Sequence, residues 1–240
     1  MNYDPYFAIV TLHRPIDAQR TAYLAMHQCY SDHHVIETHL DWVKCGEIVV
    51  DRLLKGNRGH YSPLEHCHIV LSCGYFPHSM VQQLTRHRLL SFSVQSFRYT
   101  SESVVRVARG DQKLEEVFYT RPFDQLYTNR QGKKYIYTAE DAALDKTFFM
   151  DLALDYKRKL DLGVSEEHAR NLLPMDIRQH FVMSGNLRSM LHILDMRHKP
   201  DAQYEIQEFS RLLHKELTGW VPEIMGWYDR QRLNKGMLAP

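Results

Sequence analysis

Two spacings of apolar residues alternate along the chain and predict its elements. Largely apolar runs occupy 7–12, 67–73 and 181–183, which is typical of short buried strands. Elsewhere apolar residues recur about every three or four positions, as in a helix that packs one face against a core. The helices predicted in this way span 18–30, 39–55, 139–160, 187–196 and 203–217. A further predicted helix starts at the turn of Pro77, runs through Leu84 and leads to Arg86. Together the segments predict an α+β fold with a mixed or antiparallel sheet flanked by long helices.

Two regions in the middle of the chain carry more specific expectations. The Thr-Ala-Glu-Asp sequence at 138–141 resembles a capped helix start. The residues predicted to face the core from the helix that follows are Ala143, Leu144, Phe148, Leu152 and Tyr156. In the preceding connection, 104–107 and 134–137 are rich in β-branched and aromatic residues and predict strands.

Composition limits the classes of protein to which the chain can belong. Of its 240 residues, 44% are hydrophobic and 25% charged, so we expect a single globular domain over residues 1–240. The net charge of +1 provides no overall attraction for nucleic acid, and any anion site has to be local. No apolar run is long enough to span a bilayer, so no membrane partner is expected.

Cysteine usage indicates a reducing compartment. The four cysteines form no Cys-x-x-Cys pair and no signal peptide begins at Met1, so the sequence predicts a cytoplasmic protein. A thiolate nucleophile needs a cation or a helix N-terminus beside the sulfur. Because Cys67 and Cys73 lie in largely apolar runs, we interpret both as core residues.

The densest candidate chemistry lies between residues 86 and 99. Arg86, His87 and Arg88 are consecutive, and Ser96 and Arg98 follow shortly after. Arginine has a planar fork of donors that fits phosphate and carboxylate. Since the intervening residues are largely apolar, full solvation of these cations is not expected, and the stretch predicts a site for a multiply anionic ligand. A bare Arg-His-Arg sequence would instead indicate a basic surface turn.

Other chemistries have weaker signals in the sequence. His60, His66, Cys67 and His68 could supply zinc ligands, and on a strand His66 and His68 would share a face. No second Cys/His pair has a recognised spacing, so we predict no metal site. The sequence has no G-x-S-x-G turn, no G-x-G-x-x-G and no Walker sequence, which argues against a serine hydrolase and against the usual nucleotide folds.

Three further arginines lie in largely apolar segments near the C-terminus. They are Arg170, Arg188 and Arg197. A structural ion pair with Glu205 or Glu208 is an alternative role for Arg197, and the sequence leaves that choice open.

Several motifs over residues 60–210 carry a family resemblance. The Arg-His-Arg sequence followed by Ser96 and Arg98 resembles the signature of the flavin-dependent thymidylate synthase (ThyX) family. The histidine-led segment 60–66 and the position of Gln83 before Arg86 resemble the same family. The other matching segments are 167–174, 186–190, 195–197 and 202–206.

The resemblance implies an α+β homotetramer whose active sites are shared between subunits. It also implies FAD as cofactor, with NADPH and methylenetetrahydrofolate as co-substrates. The implied reaction is the reductive methylation of dUMP to dTMP.

Site residues are implied position by position. The residues implied for the flavin are His60, Ser62, Arg86, His87, Arg88, Val94, Asn186, Arg188 and His192, with His60 also near the folate. The residues implied for dUMP are Gln83, Arg86, Val94, Gln95, Ser96, Phe97, Arg98, Arg170 and Arg197. Arg197 engages the pyrimidine and is the residue to which the resemblance gives a catalytic role.

The chain departs from the family pattern at a few positions. Many members have Glu or Gln two residues before the motif serine, where this chain has Val94, and Gln95 is shifted by one. His192 stands where a family member has asparagine, and its ring can still donate or accept a hydrogen bond. Asp201 replaces a histidine found in some members.

Two functions from other classes compete with the flavoenzyme hypothesis. A nucleic-acid-binding module would use the basic residues between Arg86 and Arg109, with Phe92, Phe97 and Tyr99 stacking on bases. A metal hydrolase would use the histidines near residue 60. Bound oxidised flavin would colour the purified protein yellow, which separates the flavoenzyme from both.

Overall fold

A computed structural model describes residues 4–36, 38–56, 59–129 and 131–235. Six strands are present in this part of the chain: β1 (Ala8–His13), β2 (His68–Pro77), β3 (Ser91–Val94), β4 (Gln125–Thr128), β5 (Lys134–Tyr137) and β6 (Arg178–Asn186). The helices are α1 (Ala18–Gln28), α2 (Trp42–Val49), α3 (His78–Leu84), α4 (Glu102–Arg109), α5 (Leu114–Val117), α6 (Ala139–Asp161), α7 (Glu166–Ala169), α8 (Leu187–Arg197), α9 (Tyr204–Thr218) and α10 (Pro222–Gln231). A π-helical segment spans Val50–Leu54, and 3-10 turns span Ser62–His66 and Arg170–Leu172.

The strands form two sheets. Four of them lie in the order β1-β2-β6-β3, and β4 pairs with β5 as an antiparallel hairpin in which Leu126 faces Ile136. The predicted α+β class is confirmed. None of the helices in the described residues is both long and apolar enough to cross a membrane.

Contacts along the chain group it into two compact units that interleave in sequence. The first unit comprises Met1–Ala8, Cys73–Arg86 and Ser93–Phe181. The second unit comprises Ile9–Ser72, His87–Phe92 and Val182–Pro240.

A cluster around α4 and α6 forms a core of the first unit. Val104 and Val105 pack there with Phe118, Phe149 and Tyr156. The rings of Phe118 and Phe149 stack at 5.1 Å, and Tyr156 is fully buried. The core of the second unit contains the buried residues Leu53, Leu64, Leu191, Leu194, Phe209 and Tyr228.

The expectation of a strand at 104–107 is wrong, because these residues lie within α4. Valine favours strands only weakly, and tertiary packing routinely overrides such propensities. In the helix Val104, Val105 and Val107 are all buried, so the burial of one helical face decides the outcome. Gly110 ends the helix in the left-handed conformation, at φ 80°.

The predicted start of α6 is confirmed, whereas its predicted inner face is confirmed only at Tyr156, which is buried, and at Leu152, which is partly buried. The Thr138 side chain accepts a hydrogen bond from the Asp141 N–H, and the Asp141 side chain accepts one from the Thr138 N–H. The buried residues are Ala142, Phe149, Ala153 and Tyr156. Leu144 and Phe148 are instead 70% and 56% exposed, and Ala143 is exposed too. Steps of four residues rotate about 40° each around a helix, so Leu144 and Tyr156 point about 120° apart.

Candidate functional site

The predicted site residues divide between the two units. The first unit contains Gln83, Arg86, Val94, Gln95, Ser96, Phe97, Arg98 and Arg170. The second unit contains His60, Ser62, His87, Arg88, Asn186, Arg188, His192 and Arg197. Apart from Arg197, the residues expected to bind dUMP therefore fall in the first unit, and most of those expected to bind the flavin fall in the second.

In the first unit, Gln95 fixes the start of the loop that carries Ser96 and Arg98. Its backbone N–H donates to the His180 carbonyl at 2.9 Å, and its Oε1 accepts from the His180 N–H at 3.0 Å. Its Nε2 donates to the Thr100 hydroxyl at 3.0 Å. The Gln95 side chain thus bridges β6 and the far end of the loop, and its expected contact with dUMP stays a prediction.

The loop itself is a compact turn. The Ser96 carbonyl accepts the backbone N–H groups of Tyr99 and Thr100, and the Phe97 ring packs against the α4–α6 core cluster. Phe97 is therefore an anchor that holds the loop on the core. Ser96 is half-buried and Val94 is 37% exposed.

Arg98 extends from this turn toward two polar partners. One terminal nitrogen lies 2.9 Å from Glu167 Oε1, and the other donates to the Tyr99 hydroxyl. Its guanidinium also lies 4.6 Å from the centroid of the Tyr99 ring. The ion pair is open to solvent, with side-chain exposures of 44% for Arg98 and 52% for Glu167. Arg170 follows Glu167 by one helical turn and is exposed.

In the second unit, α8 carries three of the predicted residues. Asn186 caps the helix, because its Oδ1 accepts the Ser189 N–H at 2.9 Å. Arg188 pairs at 2.5 Å with Glu65, a residue of the 3-10 turn that starts at Ser62. His192 lies farther along the helix, and Arg197 is its last residue.

His87 meets α8 through both His192 and Arg197. Arg197 Nε donates a hydrogen bond to His87 Nε2 at 3.1 Å. The rings of His87 and His192 meet edge to face, with centroids 5.4 Å apart and planes at 69°. The structure therefore assembles Arg197, His87 and His192 into one cluster, as a shared role in a site requires.

The electrostatics of this cluster keep His87 neutral. Burial lowers the pKa of His87 to about 4, with further lowering by the charge of Arg197 and by His192. Because His87 Nε2 accepts a bond, its proton resides on Nδ1. His192 Nδ1 is buried and has no hydrogen-bond partner within the described part of the chain.

His60 and the two outer arginines complete the predicted set. The Tyr30 hydroxyl lies 2.9 Å from His60 Nδ1, and the two rings meet edge to face. As predicted, α3 leads directly to Arg86, and Arg86 and Arg88 are both exposed. Tyr30 and Glu65 were not predicted as partners. Glu65 lies in a recognised motif, whereas no sequence signal links Tyr30 to His60.

The described residues support neither a cysteine nucleophile nor a zinc site. Burial raises the pKa of Cys67 to about 12, and it also raises the pKa of Cys73, so both thiols stay protonated at neutral pH. The interpretation of both as core residues is confirmed. His66 lies in a 3-10 turn and not on the strand that carries His68, so the expected shared face is wrong. Over residues 4–36, 38–56, 59–129 and 131–235, no three His, Cys, Asp or Glu side chains group as metal ligands would.

The carboxylates considered as alternative partners of Arg197 have contacts elsewhere. Glu205 accepts a bond from Gln203 at 2.6 Å, and Glu208 pairs with Arg211 at 3.2 Å. One contact of Arg197 is its hydrogen bond to His87.

Comparison with known proteins connects this arrangement to a family. A family model described as thymidylate synthase complementing protein matches residues 11–223. The flavin-dependent thymidylate synthase of Haloarcula marismortui is 32% identical over 200 residues, covering 81% of this chain and 80% of that protein. The protein of the same name from Halobacterium salinarum is 34% identical over 189 residues, covering 76% of each chain.

Solved structures show the same fold. Thymidylate synthase X from Helicobacter pylori, solved with FAD and dUMP, has a TM-score of 0.67 at 19% identity and covers 93% of this chain and 98% of its own. A UMP/dUMP methylase from Streptomyces cacaoi, bound to 5-bromo-dUMP, has a TM-score of 0.74 at 18% identity and covers 98% of this chain and 97% of its own.

Proposed function

The chain belongs to the flavin-dependent thymidylate synthase family, and on that premise we propose that it converts dUMP to dTMP. Methylenetetrahydrofolate is the proposed carbon donor, and NADPH is the proposed source of electrons. The observation that carries the proposal is the cluster of Arg197, His87 and His192, in which a guanidinium rests on a neutral acceptor. Such a cation suits a pyrimidine ring that becomes negative during the reaction.

The residues of the second unit fit a flavin nucleotide. His192 presents a buried ring nitrogen that has no partner among the described residues, as expected of a group that bonds a ligand. Arg88 of this unit is an exposed cation suited to the diphosphate, and so is Arg86 of the first unit. The residues proposed to hold FAD are His60, Ser62, Arg86, His87, Arg88, Val94, Asn186, Arg188 and His192. When bound and reduced, FAD supplies the hydride that completes the methyl group.

The residues of the first unit suit the phosphate of dUMP. Arg98 and Arg170 supply charge, and Ser96 supplies a hydroxyl donor from the compact turn. Since Arg98 rests on Glu167 at 2.9 Å, binding a phosphate requires Arg98 to exchange one anion for another. The remaining dUMP contacts are proposed for Gln83, Arg86, Val94, Gln95 and Phe97.

Arg197 is proposed to act on the pyrimidine itself. Methylation at C5 requires electron density to move toward that carbon, and negative charge develops on the ring nitrogen N3 and its carbonyl neighbour. A guanidinium facing N3 and the carbonyl oxygen stabilises this charge with parallel hydrogen bonds. Arginine stays protonated at neutral pH, so its role is electrostatic and not that of a general base.

Assembly as a homotetramer with shared active sites is part of the same proposal. Exposed apolar residues on α6 and on the β4–β5 hairpin support it, because such residues favour burial at an interface. They include Leu144, Phe148, Leu126 and Ile136, which are between 56% and 70% exposed.

The nucleic-acid alternative has no support from the comparisons. Within the basic stretch that suggested it, Phe97 packs on the core and Arg98 pairs with Glu167. Arg109 likewise contacts Glu102 of its own helix at 3.4 Å. These contacts favour a structural use of the stretch over a surface for stacked bases.

Release of tritium from 5-tritiated dUMP tests the proposed function directly. The FAD-loaded protein should release tritium and form dTMP only when both NADPH and methylenetetrahydrofolate are present. A parallel reaction with 5-tritiated UMP measures the preference for the deoxyribose. Turnover without a reductant, or none with the complete mixture, would contradict the proposal.

A further inference from the structure

We propose that His87 is a positioning residue for Arg197: its imidazole accepts the Arg197 Nε–H and sets the plane in which the guanidinium meets the pyrimidine. The part of this inference that concerns the pyrimidine rests on the proposed function. The part that concerns orientation rests on the contacts of the second unit alone.

The geometry of a guanidinium makes its Nε a good anchoring point. The Nε–H lies in the plane of the group, and the two terminal nitrogens form a fork directed away from it. A hydrogen bond to Nε therefore fixes the plane of the fork without using its two-nitrogen edge. The 3.1 Å contact from Arg197 Nε to His87 Nε2 provides such a bond.

The chemistry of the acceptor matters as much as its position. A carboxylate at this place would offset the positive charge of Arg197, whereas a protonated imidazole would repel it and could not accept the bond. Burial and the neighbouring charge lower the pKa of His87 far enough to keep it neutral at physiological pH. A neutral acceptor orients the cation without itself offsetting its charge.

His87 is itself held in place by its surroundings. The edge-to-face contact with His192 at 5.4 Å restricts the tilt of its ring. The short segment that carries His87 is packed onto β6 through Leu90, which lies so close to Gly185 that a Cβ atom there would overlap the leucine side chain. Met190 of α8 lies beside the same glycine. The acceptor and the arginine are therefore both attached to packed elements of the second unit.

A direct contact between His87 and FAD is also part of the proposed function, and the two roles make different demands. Replacing a residue that contacts FAD would change the affinity for FAD, whether or not the new side chain can accept a hydrogen bond. A positioning residue requires an acceptor where Nε2 now lies. Glutamine can place its amide oxygen near that position, asparagine is too short, and leucine has no acceptor.

The experiment compares His87→Gln, His87→Asn and His87→Leu in the FAD-loaded protein. His214→Gln is the matched control, because His214 is a half-buried histidine of the same unit that bonds Asp229 at 2.6 Å. Solvent exchange of the Arg197 Nε–H is followed by NMR of protein labelled with 15N-arginine, with the resonance assigned from its absence in Arg197→Lys. The affinity for FAD, kcat and the KM for dUMP are measured on the same samples.

We expect wild type, His87→Gln and His214→Gln to protect the Arg197 Nε–H, and His87→Asn and His87→Leu to lose that protection. In the latter two kcat, measured at saturating FAD, should fall about 30-fold or more, with the KM for dUMP within about threefold of wild type. His87→Gln should keep kcat within about fivefold.

Either of two results would overturn the inference. One is protection of the Nε–H that survives in His87→Leu. The other is an equal loss of kcat at saturating FAD in all three His87 variants, which would leave His87 with a role in cofactor binding alone. A wild-type protein that methylates no dUMP would instead refute the proposed function, and the exchange measurement would still decide whether His87 orients Arg197.

Discussion

Each unit of the molecule holds an arginine assigned to the nucleotide, and the two arginines rest on partners of different kinds. Arg98 in the first unit pairs with the carboxylate of Glu167 in solvent. Arg197 in the second unit is half-buried and donates to the neutral ring of His87. An exposed ion pair contributes little and exchanges easily, so Arg98 suits the capture of a phosphate. The His87 ring does not itself offset the charge of Arg197, so we propose that Arg197 suits charge that appears only during the reaction.

The largest effect should come from the second unit. Arg197→Lys keeps the charge and loses the fork, so kcat/KM for dUMP should fall about 100-fold or more. In Arg197→Ala, kcat/KM for dUMP should fall at least as far. Steady-state tritium release from labelled dUMP measures both variants.

The content of FAD and the melting temperature serve as controls for the Arg197 variants, and both should stay near wild type. If Arg197 only formed an ion pair with Glu205 or Glu208, the variants would lose stability and whatever folds would turn over normally. Retention of kcat/KM within about tenfold in Arg197→Lys, a loss below about 1.4 kcal/mol, would contradict the catalytic role.

A smaller effect is expected from the arginine of the first unit. Arg98→Gln should raise the KM for dUMP about 10- to 100-fold and leave kcat within about threefold, because a charge-assisted bond to phosphate forms in the ground state. Glu167→Gln removes the competing carboxylate from an exposed pair and should change the KM less than about fivefold.

The double variant Arg98→Gln with Glu167→Gln completes this comparison. If Glu167 affects dUMP binding only through its ion pair with Arg98, the effect of Glu167→Gln on the KM for dUMP should disappear when Arg98 is also replaced. A fall of kcat in Glu167→Gln comparable to that of Arg197→Lys would remove the distinction between the two arginines.

The lowered pKa of His87, the partner of Arg197 in the second unit, also predicts a dependence of stability on pH. The ordinary pKa of histidine is 6.5, and that of folded His87 is lowered to about 4. Between these values the unfolded chain binds a proton that the folded chain does not, so the free energy of unfolding should fall as the pH drops from about 6.5 to 4. His180 and His198, whose pKa values are also lowered by burial, add to the same slope.

Urea unfolding at pH 7 and pH 5 measures this slope. His87→Gln should show a shallower decrease than wild type, because glutamine binds no proton in either state. An unchanged slope in that variant would mean that folding does not lower the pKa of His87, and the contrast with Glu167 would then fail.

The smallest effect is expected at a residue that belongs to neither arginine site. Cys67 donates from its sulfur to the Ala18 carbonyl at 3.1 Å and is fully buried. Because its thiol stays protonated, Cys67→Ser should keep kcat within about twofold, with stability lowered by about 1 kcal/mol. A covalent adduct of dUMP on Cys67, detected by mass spectrometry, would contradict this expectation.

The sequence predicts what depends on local signals. The start of α6 follows from Thr138 and Asp141, which bond each other three residues apart. The end of α3 just before Arg86 is likewise a local feature. The inner face of α6 was not predictable in the same way, because Leu144 and Phe149 are both apolar and only the neighbouring elements decide which is buried.

For the candidate site, motif resemblance supplied the residues and the structure supplied their partners. The bond from Arg197 to His87 joins positions 110 residues apart, and that from Arg188 to Glu65 joins positions 123 residues apart. No spacing rule links such positions, since their meeting depends on the packing of α8. Tyr30 is a similar case, because its bond to His60 follows from the tertiary arrangement of two loops.

The close approach of Leu90 to Gly185 has a consequence for how this protein can change over generations. Any side chain at position 185 would have to displace the leucine that holds the His87 segment on β6. A substitution there would therefore cost less once a smaller residue had replaced Leu90. The order of the two changes would set how much the first one costs, so the pair is a point of epistasis beside the residues proposed for the chemistry.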